Sequence, residues 1–264
     1  MFRLSVCADT LFRDLPFEQR VQEISRAGFL VEFWGWQGHD IDAIAADPNV
    51  QIGVFSGSIG GSLVHPDGLE TYLDGVESSI AVAQKLGCRN MILLTGELEY
   101  DGTVIHPVAS HPATMWITAY KGLCQVAELA EKHDVVYSLE VLNTKVDHAG
   151  YALNRVEDGV RLLKEVDNPR IKLLLDLYHV QIEEGNLTQA IRDYAGDIGH
   201  IHVADVPGRH EPGTGEINYR HVAQALHEVG YEGAVGLEAF AQSDDHKAMA
   251  RFREVFSGCS GNIV

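Results

Sequence analysis

Val135-Val-Tyr-Ser-Leu-Glu-Val-Leu142, Ile171-Lys-Leu-Leu-Leu-Asp-Leu177, Ile198-Gly-His-Ile-His-Val-Ala204 and Ala234-Val-Gly-Leu-Glu-Ala-Phe240 are apolar runs, each with an ionisable residue near its C-terminal end. Four similar runs precede them, at Leu4–Ala8, Leu30–Trp34, Ile52–Ser56 and Asn90–Thr95. The runs are nearly continuous rather than alternating, the pattern of strands covered on both sheet faces. Between them lie amphipathic segments at Glu18–Ala27, Leu69–Leu86, Thr114–Lys132, Arg155–Val166, Leu187–Tyr194 and Tyr219–Val229. Ala27-Gly28-Phe29, Leu86-Gly87-Cys88 and Val229-Gly230-Tyr231 each close a helical pattern with glycine, which takes the left-handed conformation at a helix end without a Cβ penalty. Strand–helix alternation along the whole chain predicts an α/β protein with a parallel sheet. Eight such units in 264 residues favour a single closed (β/α)8 TIM barrel over residues 1–264. A doubly wound open sheet is the alternative, but the first strand is followed by no G-x-G-x-x-G turn, and no G-x-x-x-x-G-K-[ST] loop occurs.

The polar residues in the last four runs carry the functional reading. Glu140, Asp176, His202 and Glu238 each stand between two apolar neighbours. Side chains alternate faces along a strand, so apolar neighbours directed at the helix layer put the polar residue inside the barrel. Barrel interiors are normally filled by branched apolar side chains, and active sites lie at the C-terminal rim. Any one of these residues, His202 above all, could be a hydrogen-bonded core group. Converging together, three acids and an imidazole at low dielectric would raise one another's pKa, and a divalent cation relieves that cost. Three oxygen donors and one nitrogen suit Mn²⁺, Mg²⁺ or Co²⁺ better than a structural zinc. Glu140 and Glu238, three strands apart, could flank a substrate as an acid–base pair. The chemistry expected is proton transfer beside a carbonyl through an enediolate.

The net charge of −18 is spread without blocks of like sign, which opposes attraction to nucleic acid or an anionic membrane. Hydrolysis of damaged DNA would want more metal-binding histidines and a basic groove. A composition of 45% hydrophobic and 22% charged residues suits a globular protein with a full core. No run approaches the roughly 18 apolar residues of a membrane span. Met1-Phe2-Arg3 leads directly into a strand-like run without a secretory pattern. Cys7, Cys88, Cys124 and Cys259 are far apart and read as reduced thiols, so a cytoplasmic location is expected.

Three segments also resemble the hydroxypyruvate isomerase family of the xylose-isomerase-like barrel superfamily. They are Glu140-Val-Leu-Asn143, Leu175-Asp176-Leu-Tyr-His179-Val-Gln-Ile-Glu183-Glu-Gly185, and the His200–Asn218 stretch HIHVADVPGRHEPGTGEIN. Weaker similarity covers nearly the whole chain, including Pro16-Phe17-Glu-Gln-Arg and Val31-Glu32-Phe33. The resemblance implies an isomerase of small hydroxy-carbonyl compounds with Glu140, Asp176, His202 and Glu238 on the metal. It further implies that His179 and Arg209 contact substrate oxygens. Read independently, Arg209 follows the seventh strand on a Gly/Pro loop, where it could fork onto a carboxylate or form a surface ion pair; His179 could equally cap a helix start. The sequence departs from the isomerase pattern at His202, where those isomerases usually have glutamine and ketose 3-epimerases histidine. It departs again at Val141 and Ala239, after the two acids. A ketose 3-epimerase on the same metal site is therefore the rival reading, and a metal-stabilised, non-catalytic subunit or sugar-binding module the third.

Glu32, Trp34 and Trp36 at the end of the second run could wall a substrate pocket or pack as a core cluster. His65, His106 and His111 lie on loops after the third and fourth strands, and His65 is a further candidate substrate contact. The long Thr95–Pro112 loop is either a lid or a solvated connection. Glu183-Glu184 reads as a solvated turn or helix cap. The expected partner is a small-molecule substrate, and apolar residues on helix faces could also form a contact with a second copy of the chain.

Overall fold

The computed structural model describes residues 2–105, 107 and 110–257. Its strands are β1 (Arg3–Cys7), β2 (Leu30–Phe33), β3 (Ile52–Ser56), β4 (Asn90–Leu93), β5 (Val136–Glu140), β6 (Ile171–Asp176), β7 (Ile198–Val203) and β8 (Ala234–Leu237). They pair in parallel, each with its neighbour in the chain, and β8 pairs with β1 to close the barrel. The expected closed barrel is the observed one. The helices are α1 (Phe17–Arg26), α2 (Ile41–Ala46), α3 (Leu69–Leu86), α4 (Pro112–His133), α5 (Val156–Val166), α6 (Leu177–Glu183), α7 (Leu187–Tyr194), α8 (Tyr219–Glu228) and α9 (Asp245–Ser257).

The helices missing from the sequence reading are α2, α6 and α9. The first is only six residues long, too short to show a period. The second begins at Leu177, directly after β6, so its apolar start reads as more strand. The third is rich in charge, although Ala248, Phe252, Val255 and Phe256 bury one face at helical spacing. Gly28, Gly87 and Gly230 have φ of 77°, 64° and 70°, as their helix-ending role requires. Asp134 and Asp167 take the same left-handed conformation after α4 and α5, where glycine is absent.

Two apolar regions divide the molecule. The larger lies between strands and helices and includes Val31, Phe33, Phe55, Leu139 and Leu175. The smaller is Val54, Ile92 and Leu174, inside the barrel. The other side of the barrel's interior is polar, for Ser5, Glu32, His200 and His202 are all buried there and contact one another. Cys7 and Cys88 are buried free thiols, and burial pushes the Cys88 thiol up to about 12. Cys259 lies outside the described residues. Among those described, no helix is long and apolar enough to cross a membrane.

Register explains how residues at different rungs meet. Glu140 pairs with Leu174 rather than Asp176, Asp176 pairs with His202, and His202 pairs with Gly236 rather than Glu238. Strands of a (β/α)8 barrel tilt, advancing about one residue per strand around the circumference. Glu140 and His202, on odd-numbered strands, therefore share a layer, and Asp176 and Glu238 sit half a layer above. Leu174 lies directly beneath, fully buried. Leu174→Ala should destabilise the fold by about 2–5 kcal/mol, because a cavity opens where helices cannot collapse into it; a denaturant titration showing a loss below about 1 kcal/mol would contradict this packing.

Candidate metal centre

Glu140 ends β5, Asp176 ends β6, His202 is the penultimate residue of β7, and Glu238 follows β8 by one residue. All four are buried, and one ligand-type atom from each lies within 4.8 Å of the others. The sequence reading placed these four at one level, and the structure brings them together. The Nδ1 atom of His202 stands 3.7 Å from Glu140 Oε1 and 3.6 Å from Glu238 Oε2. Both separations exceed hydrogen-bond length, and this buried nitrogen has no hydrogen-bond partner among the described residues. Three carboxylates around an unpartnered imidazole nitrogen are the donor set of an oxygen-rich divalent cation site, so the residues fit such an ion.

The local electrostatics follow from burial. Burial pushes Asp176 up to about 7; Glu238 and Glu140 add to the rise, and Arg209 opposes it. For Glu238 burial also acts upward, but the Arg209 guanidinium and His202 outweigh it and hold the carboxyl below its ordinary value. Trp34 Nε1 and Arg209 Nη2 donate to the two Glu238 oxygens, and both fix its orientation. His202 is pushed well above its ordinary value, the surrounding carboxylates overcoming the effect of burial.

His179, in the first turn of α6, faces the same space with Nε2 3.6 Å from Asp176 Oδ2. Its tautomer follows from Asn143. The Asn143 Oδ1 accepts the Val146 and Asp147 backbone N–H groups at 3.0 and 3.1 Å, so its Nδ2 must be the donor. That Nδ2 lies 2.7 Å from His179 Nδ1, which therefore accepts. The imidazole proton is left on Nε2, a buried donor with no partner among the described residues. Burial, reinforced by Arg209, keeps this histidine well below its ordinary pKa and thus neutral.

Arg209 reaches the site from the β7–α8 loop in a left-handed conformation, φ 55°. Asp205, fully buried, holds that loop: its carboxylate accepts the N–H groups of Val206, Gly213 and Ile217 at 3.0, 2.7 and 3.0 Å. The Arg209 carbonyl accepts the Phe240 N–H at 2.8 Å, tying the loop to the end of β8. Arg209 is not the surface ion pair that was one sequence reading. It is 14% exposed, pairs with Glu238, and leaves its Nε without a partner among the described residues.

Other candidates separate. Trp34 belongs to the site through Glu238. Trp36 does not; its Nε1 donates to Ser79 Oγ on α3 at 3.0 Å, and it packs against the core. His65 is outside the cluster and caps a short 3₁₀ turn, its Nδ1 accepting the Asp67 N–H at 3.2 Å. It also lines, with Thr95, Glu97 and Tyr151, a cavity of about 380 Å³. Tyr151 connects this cavity to the site, its hydroxyl donating to the Glu140 carbonyl at 3.3 Å. His111 caps α4, and His106 lies outside the described residues. From the Thr95–Pro112 loop, Tyr100 meets the Trp34 ring edge-on at 5.3 Å and donates to the Asp9 carbonyl at 3.2 Å. Glu183 and Glu184 are structural rather than a solvated turn, since they accept the Thr144 and Val156 N–H groups at 2.9 and 2.7 Å. Sequence reasoning passed over His200, Asn143 and Asp205. Asp205, with an apolar residue on each side and a Gly/Pro loop behind it, carried the signal of a loop organiser.

Fold and site together define a closed parallel barrel with a candidate cation site in its mouth, and relatives named isomerases make it an isomerase. The xylose isomerase-like TIM barrel family matches residues 21–256, and the chain belongs to it. The hydroxypyruvate isomerase of Escherichia coli (strain K12) is 29% identical over 249 residues, 90% of this chain and 93% of its own. The 2-oxo-tetronate isomerase of Cupriavidus necator is 39% identical over 152 residues, 53% of this chain and 58% of its own. A crystal structure described as an AP endonuclease, family 2, from Brucella melitensis superposes with a TM-score of 0.87 at 29% identity, covering 96% of this chain and 98% of the other.

The pH dependence has a definite sign. Asp176 holds its proton more tightly folded than unfolded, so its contribution to stability is present below the usual carboxylate range and is lost as pH rises through about 7. Cation binding must expel that proton and one from imidazolium His202, so Mn²⁺ affinity should strengthen through the same region. Calorimetry in two buffers of different ionisation heat should detect proton release. A flat affinity between about pH 5 and 8, with no proton released, would contradict it.

Proposed function

We propose that this isomerase holds one divalent cation, Mn²⁺ or Mg²⁺, between Glu140, Asp176, His202 and Glu238. There it would interconvert the carbonyl and hydroxyl positions of a short hydroxy-carbonyl acid. The observation carrying this reading is the buried, unpartnered Nδ1 of His202 facing the Glu140 and Glu238 carboxylates. Hydroxypyruvate and a 2-oxo-tetronate are the first candidates, from the names of the relatives. The cation supplies Lewis acidity toward the substrate's carbonyl and neighbouring hydroxyl.

The protein's own groups do the rest. Glu140 and Glu238 act as the acid–base pair: one takes the proton α to the carbonyl, a carboxylate returns a proton to the adjacent carbon of the enediolate, and the hydroxyl proton passes to the former carbonyl oxygen. Trp34 and Arg209 keep Glu238 ionised and oriented for that exchange. His179 donates its Nε2 proton to a substrate oxygen, and Arg209 offers the remaining guanidinium edge to a substrate carboxylate. A ketose 3-epimerase is the second reading, for which the cavity of about 380 Å³ lined by His65 and Tyr151 would have to open toward the acids. His65 would then contact the substrate's far end. Nucleic acid is disfavoured as a substrate by the −18 charge.

Mn²⁺-loaded protein should be incubated in D₂O with hydroxypyruvate, a 2-oxo-tetronate and a ketohexose panel. Solvent deuterium is expected in the product, with activity lost on chelation and restored by Mn²⁺. Glu140→Gln and Glu238→Gln should each lower kcat by roughly 100- to 10,000-fold while leaving the fold intact. Turnover without solvent deuterium would indicate a hydride shift and refute the proton-transfer mechanism.

A further inference from the structure

Beneath the candidate cation site lies a second polar cluster that the proposed chemistry does not use. Glu32, on β2, is 2% exposed. Its Oε1 accepts the Ser5 hydroxyl and lies 2.8 Å from His200 Nε2; its Oε2 is 3.1 Å from His202 Nε2. The His200 ring stands perpendicular to that of His202, with centroids 4.9 Å apart. Gly236, across β1 from β2, provides the room: a Cβ there would overlap the Glu32 carboxylate. A carboxylate buried among apolar strands is costly unless its lone pairs are filled; Ser5 and His202 hydrogen-bond to this one, and His200 Nε2 lies close to it outside hydrogen-bond geometry.

We propose that Glu32 is a positioning residue, which holds the proton of His202 on Nε2 and thereby leaves Nδ1 as the lone pair directed at the cation. An ionised carboxylate can only accept, so the imidazole nitrogen that meets it must donate. The ring is then locked in both tautomer and plane, with Nδ1 aimed between Glu140 and Glu238. An acidic residue on β2 thus acts on the centre without touching the substrate. The assignment rests on the four-residue cation site proposed above, but the proton's position can be read without any cation once pH is raised enough to make His202 neutral.

The test uses full-length protein labelled with ¹⁵N-histidine. Long-range ¹H–¹⁵N spectra are recorded without metal and with Mg²⁺, and Mn²⁺ affinity and stoichiometry are measured by calorimetry. In the wild type, His202 Nε2 should be protonated in both states, with one Mn²⁺ bound per chain. Glu32→Gln keeps the shape but presents one acceptor and one donor, so it cannot accept from both Ser5 and His202 with separate oxygens. It should move the proton on His200 or His202 and weaken Mn²⁺ binding by roughly 10- to 100-fold. Glu32→Asp, which keeps the acceptor, should recover part of that loss; if Glu32→Gln fails to fold, the wild-type spectra and Glu32→Asp carry the test. An unprotonated Nε2 in the metal-free wild type at a pH high enough to make His202 neutral, or a folded Glu32→Gln with unchanged spectra and affinity, would overturn the proposal. A second Mn²⁺ per chain removed by His200→Gln would also overturn it, because Glu32 would then be a ligand. If the wild type binds no Mn²⁺ yet shows the Nε2 proton, the cation site fails while the positioning role stands.

Discussion

Three carboxylates buried in the barrel mouth repel one another, and the surrounding structure answers that repulsion at Glu238 and Asp176. Arg209 pairs with Glu238, and Trp34 donates to its other oxygen. Asp176 draws the Tyr178 and His179 backbone N–H groups to one oxygen, at 2.8 and 3.3 Å, and so doubles as the N-cap of α6. Those helix-start amides stabilise a carboxylate that burial would otherwise neutralise. Even so, neither amides nor Arg209 bring Asp176 back to the ordinary carboxylate range. Asp176 therefore keeps its proton into the neutral range, and a cation bound between the acids would take that proton's place.

The barrel's uneven interior serves the same end. Val54, Ile92 and Leu174 fill one side with apolar volume, as barrel interiors usually are. Ser5, Glu32, His200 and His202 fill the other with a polar column ending at the candidate centre. The loops above are equally committed: Asp205 braces the segment that delivers Arg209, and Asn143 sets the tautomer of His179. Each group aimed at the expected substrate is thus oriented by a buried polar partner behind it. Such support is what holds a reactive constellation in place, and it costs burial of charge that an inert barrel would not need.

The barrel was legible in the chain because buried parallel strands give long apolar runs, and a polar residue inside such a run stands out. Glu140, Asp176, His202 and Glu238 were found in this way. His200 was not, since two histidines at alternate positions of one strand look alike without knowledge of depth. Glu32 read as a pocket wall or a member of a core cluster, and its contact with the histidines was hidden because its partners come from β1 and β7, far away in sequence. Trp34 and Trp36 share a sequence neighbourhood, yet the end of β2 sends one to Glu238 and the other to Ser79. Helix α6 was hidden by its apolar start, the very residues that carry His179 into the site.

The most direct measurement is diffraction from crystals soaked in Mn²⁺, with data collected at the manganese absorption edge. The account predicts one anomalous peak per chain, at bonding distance from carboxylate oxygens of Glu140, Asp176 and Glu238 and from Nδ1 of His202. No peak there, or a peak seated instead on Glu32 and His200, would contradict it.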